Sequence, residues 1–132
     1  MGYEYTFYER ADAPELTRLW ADQTDWGESM LGRLNDWFAR APFGPPHIVV
    51  ATDADTGNIV GQFRFMPTRV LVDGREVPAV RPFGTIVSPE MRTALTITNP
   101  LSYPPVAMYL RAKEEVANRG AVLVHMVPDP RW

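Results

Sequence analysis

Two long segments rich in β-branched and aromatic residues, Ile59 to Val72 and Arg75 to Val87, meet at Asp73-Gly74. An Asp-Gly pair between such runs is a strong signal for a two-residue hairpin, because both central positions of a type I′ turn need positive φ. The middle of the chain is therefore committed to an antiparallel pair. The compact apolar run Ile48 to Ala51 precedes it, closed by the turn residues Asp53 to Gly57, so three antiparallel strands in a row are expected. Pro67 falls near the middle of the second strand, and Pro78 and Pro82 fall in the third. Proline donates nothing to a sheet ladder, so a bulge, a bend or a free edge is expected at these positions.

Around that meander the pattern changes. Tyr3, Tyr5 and Phe7 alternate with Glu4, Thr6 and Tyr8, the period of a strand with one buried face. Asp12, Pro14 and Glu15 read as a helix start, and Leu16, Leu19 and Trp20 continue it to about Gln23. After an interruption at Thr24 to Glu28, a second helix is expected from about Ser29 to Arg40. Its inner stripe would be Met30, Leu34, Trp37 and Phe38. The proline-rich stretch Pro42 to Pro46 is loop, and so is Ser88 to Pro105. A third helix is expected over Val106 to Arg119, with Val106, Tyr109, Leu110 and Ala117 inward, a Glu115–Arg119 pair and Gly120 as its cap. Ala121 to Val127 is almost wholly apolar, the mark of a strand covered on both faces. The class is α+β, and 132 residues fit one domain spanning 1–132.

Composition excludes several functions. With no cysteine there is no disulfide, thiolate metal site or cysteine nucleophile, and two histidines without a repeating spacing make no metal site. Thirteen basic against 16 acidic residues, net -3, give no general attraction to nucleic acid or an anionic membrane. No apolar run approaches the ~20 residues of a membrane span, and the N-terminus lacks a signal-peptide layout, so a cytoplasmic protein is expected. The basic residues are twelve arginines and a single lysine, Lys113, a bias expected of a GC-rich bacterial genome.

The order of strand, two helices, three antiparallel strands, loop, helix and strand resembles the first five strands of the GNAT (GCN5-related N-acetyltransferase) superfamily. Phe83-Gly84-Thr85-Ile86-Val87-Ser88-Pro89-Glu90-Met91-Arg92 is similar to that family's fourth strand and the V-x-P-x-x-R entry to its acetyl-CoA loop. Ala107 to Val116 resembles the helix after the loop, and Gly120-Ala121-Val122-Leu123-Val124 the turn into the fifth strand. The resemblance implies a GNAT-like mixed sheet whose fourth and fifth strands splay apart. The pantetheine arm of acetyl-CoA would enter there against the backbone of Thr85, Ile86 and Val87, with Arg92 as a phosphate contact and the pyrophosphate at the start of the next helix. Two departures stand out. The family's R/Q-x-x-G-x-G/A loop is replaced by Arg92-Thr93-Ala94-Leu95-Thr96-Ile97-Thr98, with no glycine between Gly84 and Gly120 and with Pro104-Pro105 where amides are wanted. The family's last helix and strands have no counterpart after Trp132.

His125, near the end of the last strand, is a candidate general base or a histidine bonded to a neighbouring loop. Glu90 could activate an amine through water or be a solvated loop residue. Gln62 and Arg64 form a polar row that lines a substrate cleft, is covered by a helix or faces solvent, and Arg81 on the neighbouring strand could extend it. Trp20 and Trp37 are expected in the core, and Trp132 could anchor a partner or close a pocket. The expected function is acyl transfer from an acyl-CoA to a small-molecule amine. Its alternatives are a GNAT fold without CoA binding that binds or converts another small molecule, and half of an assembly completed by a partner chain. A homodimer or a partner chain is expected at the open edge of the fifth strand.

Overall fold

A computed structural model of the chain describes residues 2–8, 13–93 and 99–125. Five strands form one sheet in the order β1 (Tyr3–Tyr8), β2 (His47–Asp53), β3 (Ile59–Val72), β4 (Arg75–Val87) and β5 (Leu123–Val124). The first four pair antiparallel in succession, and β5 pairs parallel with β4 at Ala79 and Val80. Helices α1 (Pro14–Gln23) and α2 (Glu28–Ala39) precede β2, while a short α3 (Pro89–Arg92), a 3₁₀ turn (Pro100–Ser102) and α4 (Pro104–Asn118) lie between β4 and β5. This is the mixed α+β sheet expected from the sequence.

The hairpin turn is as its residues demand, with Asp73 and Gly74 both at positive φ and Val72 opposite Arg75. The strand prolines leave the β3–β4 ladder unbroken from Arg64 to Val72. Pro67 lies beyond the last β2 partner at Phe65, on a stretch of β3 with one edge free. Pro78 turns its carbonyl toward β5, accepting from Val122 N at 3.0 Å, so its nitrogen also faces away from β3. Alternation gives Pro82 the same orientation.

One face of the sheet packs on α4. Val49, Ala51, Phe63, Phe65, Val80 and Val87 meet Met91, Met108, Ala112 and Val116, with Tyr3, Tyr5 and Phe7 at the margin. The buried stripe of α4 is Pro104, Met108, Ala112 and Val116, one step round from the expected face, and Leu110 is exposed. The helix starts two residues earlier than expected because both prolines fit its first turn. The Glu115–Arg119 pair forms at 3.0 Å, and Gly120 at φ +98° ends the helix as expected. The opposite face packs on α1 and α2.

Two expectations fail on burial. In α2 the inward residues are Leu31 and Phe38, with Asn35 Nδ2 bonded to Thr17 Oγ1 at 3.4 Å, whereas Met30 and Trp37 are exposed. Leu31, Asn35 and Phe38 share one helical face at spacings of four and three, so the stripe is rotated from the one read off the aromatics. The last strand is not covered on both faces: Val122 and Leu123 are exposed. Asp12, Met126, Val127 and Trp132 lie outside the described residues.

Candidate functional site

Gly84 organises the site. Arg64 lies opposite Phe83 and Gln62 opposite Ile86, so Phe63 alone faces two residues of β4, Gly84 and Thr85. This is a β-bulge, which withdraws backbone groups from the ladder and bends the strand. Gly84 adopts φ +64°, and the Trp20 ring of α1 is seated directly on it: a Cβ there would lie 2.7 Å from Trp20 Cη2. A glycine inside a strand pattern signals such a bulge; Trp20 is in the core as expected, while its contact with Gly84 has no signal in the sequence.

Beneath that contact lie Gln62 and Arg64, both buried by α1 and α2 and so not lining an open cleft. Gln62 Nε2 donates to the Leu16 carbonyl at 3.0 Å, and Arg64 donates to Gln62 Oε1 from Nε at 3.1 Å and from Nη2 at 2.9 Å. The guanidinium carbon sits 4.7 Å from the Phe38 ring centre and 5.6 Å from that of Trp20. Burial lowers the Arg64 pKa to about 10. The pair ties the helical arm to the sheet and thereby holds Trp20 over the bulge.

Toward β5 the same face carries the open groups. Phe83 stacks with Trp20, meets Phe38 edge-on and lies tilted to Trp37, and Trp26 lies 5.2 Å from Trp20, which makes an aromatic wall with Trp26 and Trp37 exposed. His125 N donates to Val80 O at 3.0 Å, which sets His125 beside Arg81. Its Nε2 is 2.8 Å from Thr68 Oγ1 on β3, so the ring is held and Nδ1 is left for other partners. Arg81 is exposed. Thr68 and the aromatic wall had no distinct signal in the sequence, since both arise from pairing across strands and helices.

The other expected residues cluster past the end of β4. Thr85 is exposed, Ile86 half-buried and Val87 buried in the α4-side core. Glu90 is exposed in the first turn of α3, and Arg92 Nη2 donates to Gln23 Oε1 at 3.2 Å. Glu90 and His125 are thus on opposite sides of the bulge, nine residues apart along the chain when Arg81 stands for His125. Tyr103, the residue that opens α4, donates its hydroxyl to the Arg92 carbonyl at 3.3 Å. Among the described residues, β4 has no β5 partner beyond Val80, whose carbonyl accepts from His125 N.

Among the described residues no cluster of three or more His, Asp or Glu side chains could hold a metal ion, and no helix is long and apolar enough to cross a membrane. A cavity of about 240 Å³ lies between Phe43–Pro45, Pro67–Arg69 and the C-terminal end of α4. It is the far end of α4 from the bulge, and its chemistry is unrelated: His47 Nδ1 accepts from Arg119 Nη1 at 3.3 Å. Desolvation, and secondarily Arg119, lowers the His47 pKa.

No protein-family model matches the chain, and no curated protein matches it. Solved structures do match. An acetyltransferase of Trypanosoma brucei is 20% identical with a TM-score of 0.62, over 98% of this chain and 84% of that one. An aminoglycoside acetyltransferase, HMB0005, from an uncultured soil metagenomic sample is 16% identical with a TM-score of 0.67, over 98% and 82%. A GNAT family acetyltransferase of Staphylococcus aureus is 11% identical with a TM-score of 0.66, over 99% and 90%. The chain therefore has the GNAT-like fold.

Proposed function

We propose that the protein is an N-acyltransferase that moves an acyl group from a pantetheine thioester, such as acetyl-CoA or another acyl-CoA, to the amine of a small molecule. The observation that carries this reading is the bulge at Gly84–Thr85, which takes backbone groups of β4 out of the β3 ladder at a place where, among the described residues, no fifth strand pairs with it. Acyl transfer needs preorganised donors for the developing oxyanion, and backbone amides released from a ladder are such donors. It also needs a proton acceptor, because a free amine is mostly protonated near neutral pH. His125, held by Thr68, is proposed for that task. It stands roughly 10 Å along the strand from the bulge at ~3.3 Å per residue, a gap for water or the acceptor itself. Arg81 and the wall of Trp26, Trp37 and Phe83 would bound the acceptor. Gln62 and Arg64, for which a substrate cleft was one of the open readings, act through Trp20 as positioning residues.

Coenzyme A fits this chain in one half only. The edge at Thr85, Ile86 and Val87, which no fifth strand pairs among the described residues, suits an extended arm that bonds to backbone. The start of α4 does not suit a diphosphate, since its first two residues are prolines without N–H groups. That mismatch favours a second reading, a small-molecule binder on the same fold without acyl transfer. Further parts of the proposal are a bacterial cytoplasmic setting, a homodimer or partner chain at the β5 edge, and no nucleic-acid or membrane partner. Glu90 remains the alternative base.

The test is thiol release from acetyl-CoA in the presence of a panel of primary amines. The expected result is amine-dependent turnover that falls about a hundredfold or more in His125→Gln and little in Glu90→Gln. A folded protein that releases no thiol with any amine would sink acyl transfer in favour of the binder.

A further inference from the structure

We infer that this chain recognises its acyl donor through the pantetheine thioester alone, so that a donor without the nucleotide diphosphate is taken as well as acetyl-CoA. The inference rests on the acyl-transfer reading above. An ordinary helix presents its first four amides to an anion, and the macrodipole adds to them. At the start of α4 those donors are gone or engaged. Pro104 and Pro105 have no N–H. Tyr103 N donates to Pro100 O at 3.2 Å, Ser102 N to Asn99 O at 3.1 Å, and Ala107 N to Tyr103 O at 2.9 Å. Val106 N is the one amide of the first turn left over.

The prolines are also fixed in place. Pro104 is buried and begins the stripe that continues through Met108, Ala112 and Val116 into the main core. Turning the helix to offer other amides would lift that stripe off the sheet. The first turn of α4 carries no charged side chain, and Arg92, brought near by the Tyr103 hydroxyl, already donates to Gln23. The sequence has no glycine between Gly84 and Gly120, so the close backbone approach that a missing Cβ allows is not encoded there. The β4 edge has the reverse character: the bulge releases backbone groups, and Thr85 is exposed beside them. Among the described residues, recognition is thus concentrated on the arm and the thioester. The donor class is any pantetheine thioester, with or without a nucleotide, and it includes one borne by a carrier protein.

Calorimetry on the whole chain with acetyl-CoA and with S-acetylpantetheine tests this directly. A charge-assisted hydrogen bond contributes about ten- to a hundredfold in affinity, so a diphosphate held by two or more amides would separate the two ligands by about a hundredfold or more. Dissociation constants within about tenfold of each other support the inference. Acetyl-CoA binding more than about tenfold tighter overturns it and leaves the acyl-transfer reading intact. Binding of neither ligand by folded protein overturns both. Pro105→Ala, which returns one amide to α4, is expected to tighten acetyl-CoA about fivefold or more and to leave S-acetylpantetheine unchanged; equal effects on both ligands count against the inference. Turnover with an acetylated phosphopantetheinyl carrier protein, set beside turnover with S-acetylpantetheine, then tells the carrier-borne from the free donor.

Discussion

A single missing methyl group shapes the site. Trp20 is buried and reaches the sheet because Gly84 presents nothing to meet it, and the positive φ that forms the bulge is one that glycine alone adopts without strain. Gly84→Ala is expected to cost about 3–4 kcal/mol, combining roughly 1–2 kcal/mol for the left-handed backbone with the displacement of a large ring. Gly57 also has positive φ but open space around it, so Gly57→Ala should cost only the backbone part, about 1 kcal/mol. Urea denaturation of both variants separates the two contributions, and equal losses would remove Trp20 from the account. His47 gives a pH prediction at the same scale. Its folded pKa lies below its unfolded value, so the unfolded chain binds a proton more readily. The stability of the neutral ring is fully present above about pH 6.5 and is lost as pH falls from there toward the folded pKa. His47→Gln should flatten this acid dependence between pH 7.5 and pH 5, read as urea midpoints; an unchanged slope would assign the acid sensitivity to other groups.

Elements were legible where local chemistry and burial agree. The Asp73-Gly74 turn, the three-strand meander and the Glu115–Arg119 helix end are all set by residues adjacent in sequence or one turn apart. The phase of α2 was not, because Met30 and Trp37 give it apolar residues on more than one face. Which face is inward is decided by what the sheet offers, here the Arg64 guanidinium beneath Phe38 and the Thr17 hydroxyl beside Asn35. The same limit applies to Gln62 and Arg64, whose polar row left a cleft, a helix cover and solvent all open until their contacts with α1 made them internal. This assignment predicts a separation of roles on one helix. Leu31→Ala should cost about 2–4 kcal/mol, the range for a large buried aliphatic cut to alanine, with an unchanged KM for the amine. Trp37→Ala should change stability by less than about 1 kcal/mol yet raise that KM about tenfold, since an exposed ring contributes to a ligand more than to the core. Should Trp37→Ala leave KM alone, the aromatic wall is not the acceptor surface.

At the scale of the molecule, the described sheet has two edges, a six-residue β1 on one side and a two-residue β5 on the other. Among the described residues the strand order ends at β5, which leaves its outer edge without a neighbour. Leu71 and Val72 at the hairpin, with Val122 and Leu123 on the adjoining stretch before and within β5, are exposed at 76%, 48%, 69% and 40%. Val122 is joined to Pro78 by a backbone bond, which brings this stretch close to the base of the hairpin, so the exposed apolar residues lie toward one corner of the sheet. An unpaired strand edge with apolar side chains is a template for association, and a second copy of the chain satisfies both the edge and the corner at once. The proposed homodimer therefore predicts that light scattering at micromolar concentration gives twice the mass of the chain. A lysine at an exposed edge position blunts pairing without disturbing a core. Val122→Lys should thus weaken the dimer by about tenfold or more while changing the monomer's stability by less than about 0.5 kcal/mol, because the side chain it replaces is already in water. A clean monomer for the native chain at that concentration would remove the second copy from the β5 edge.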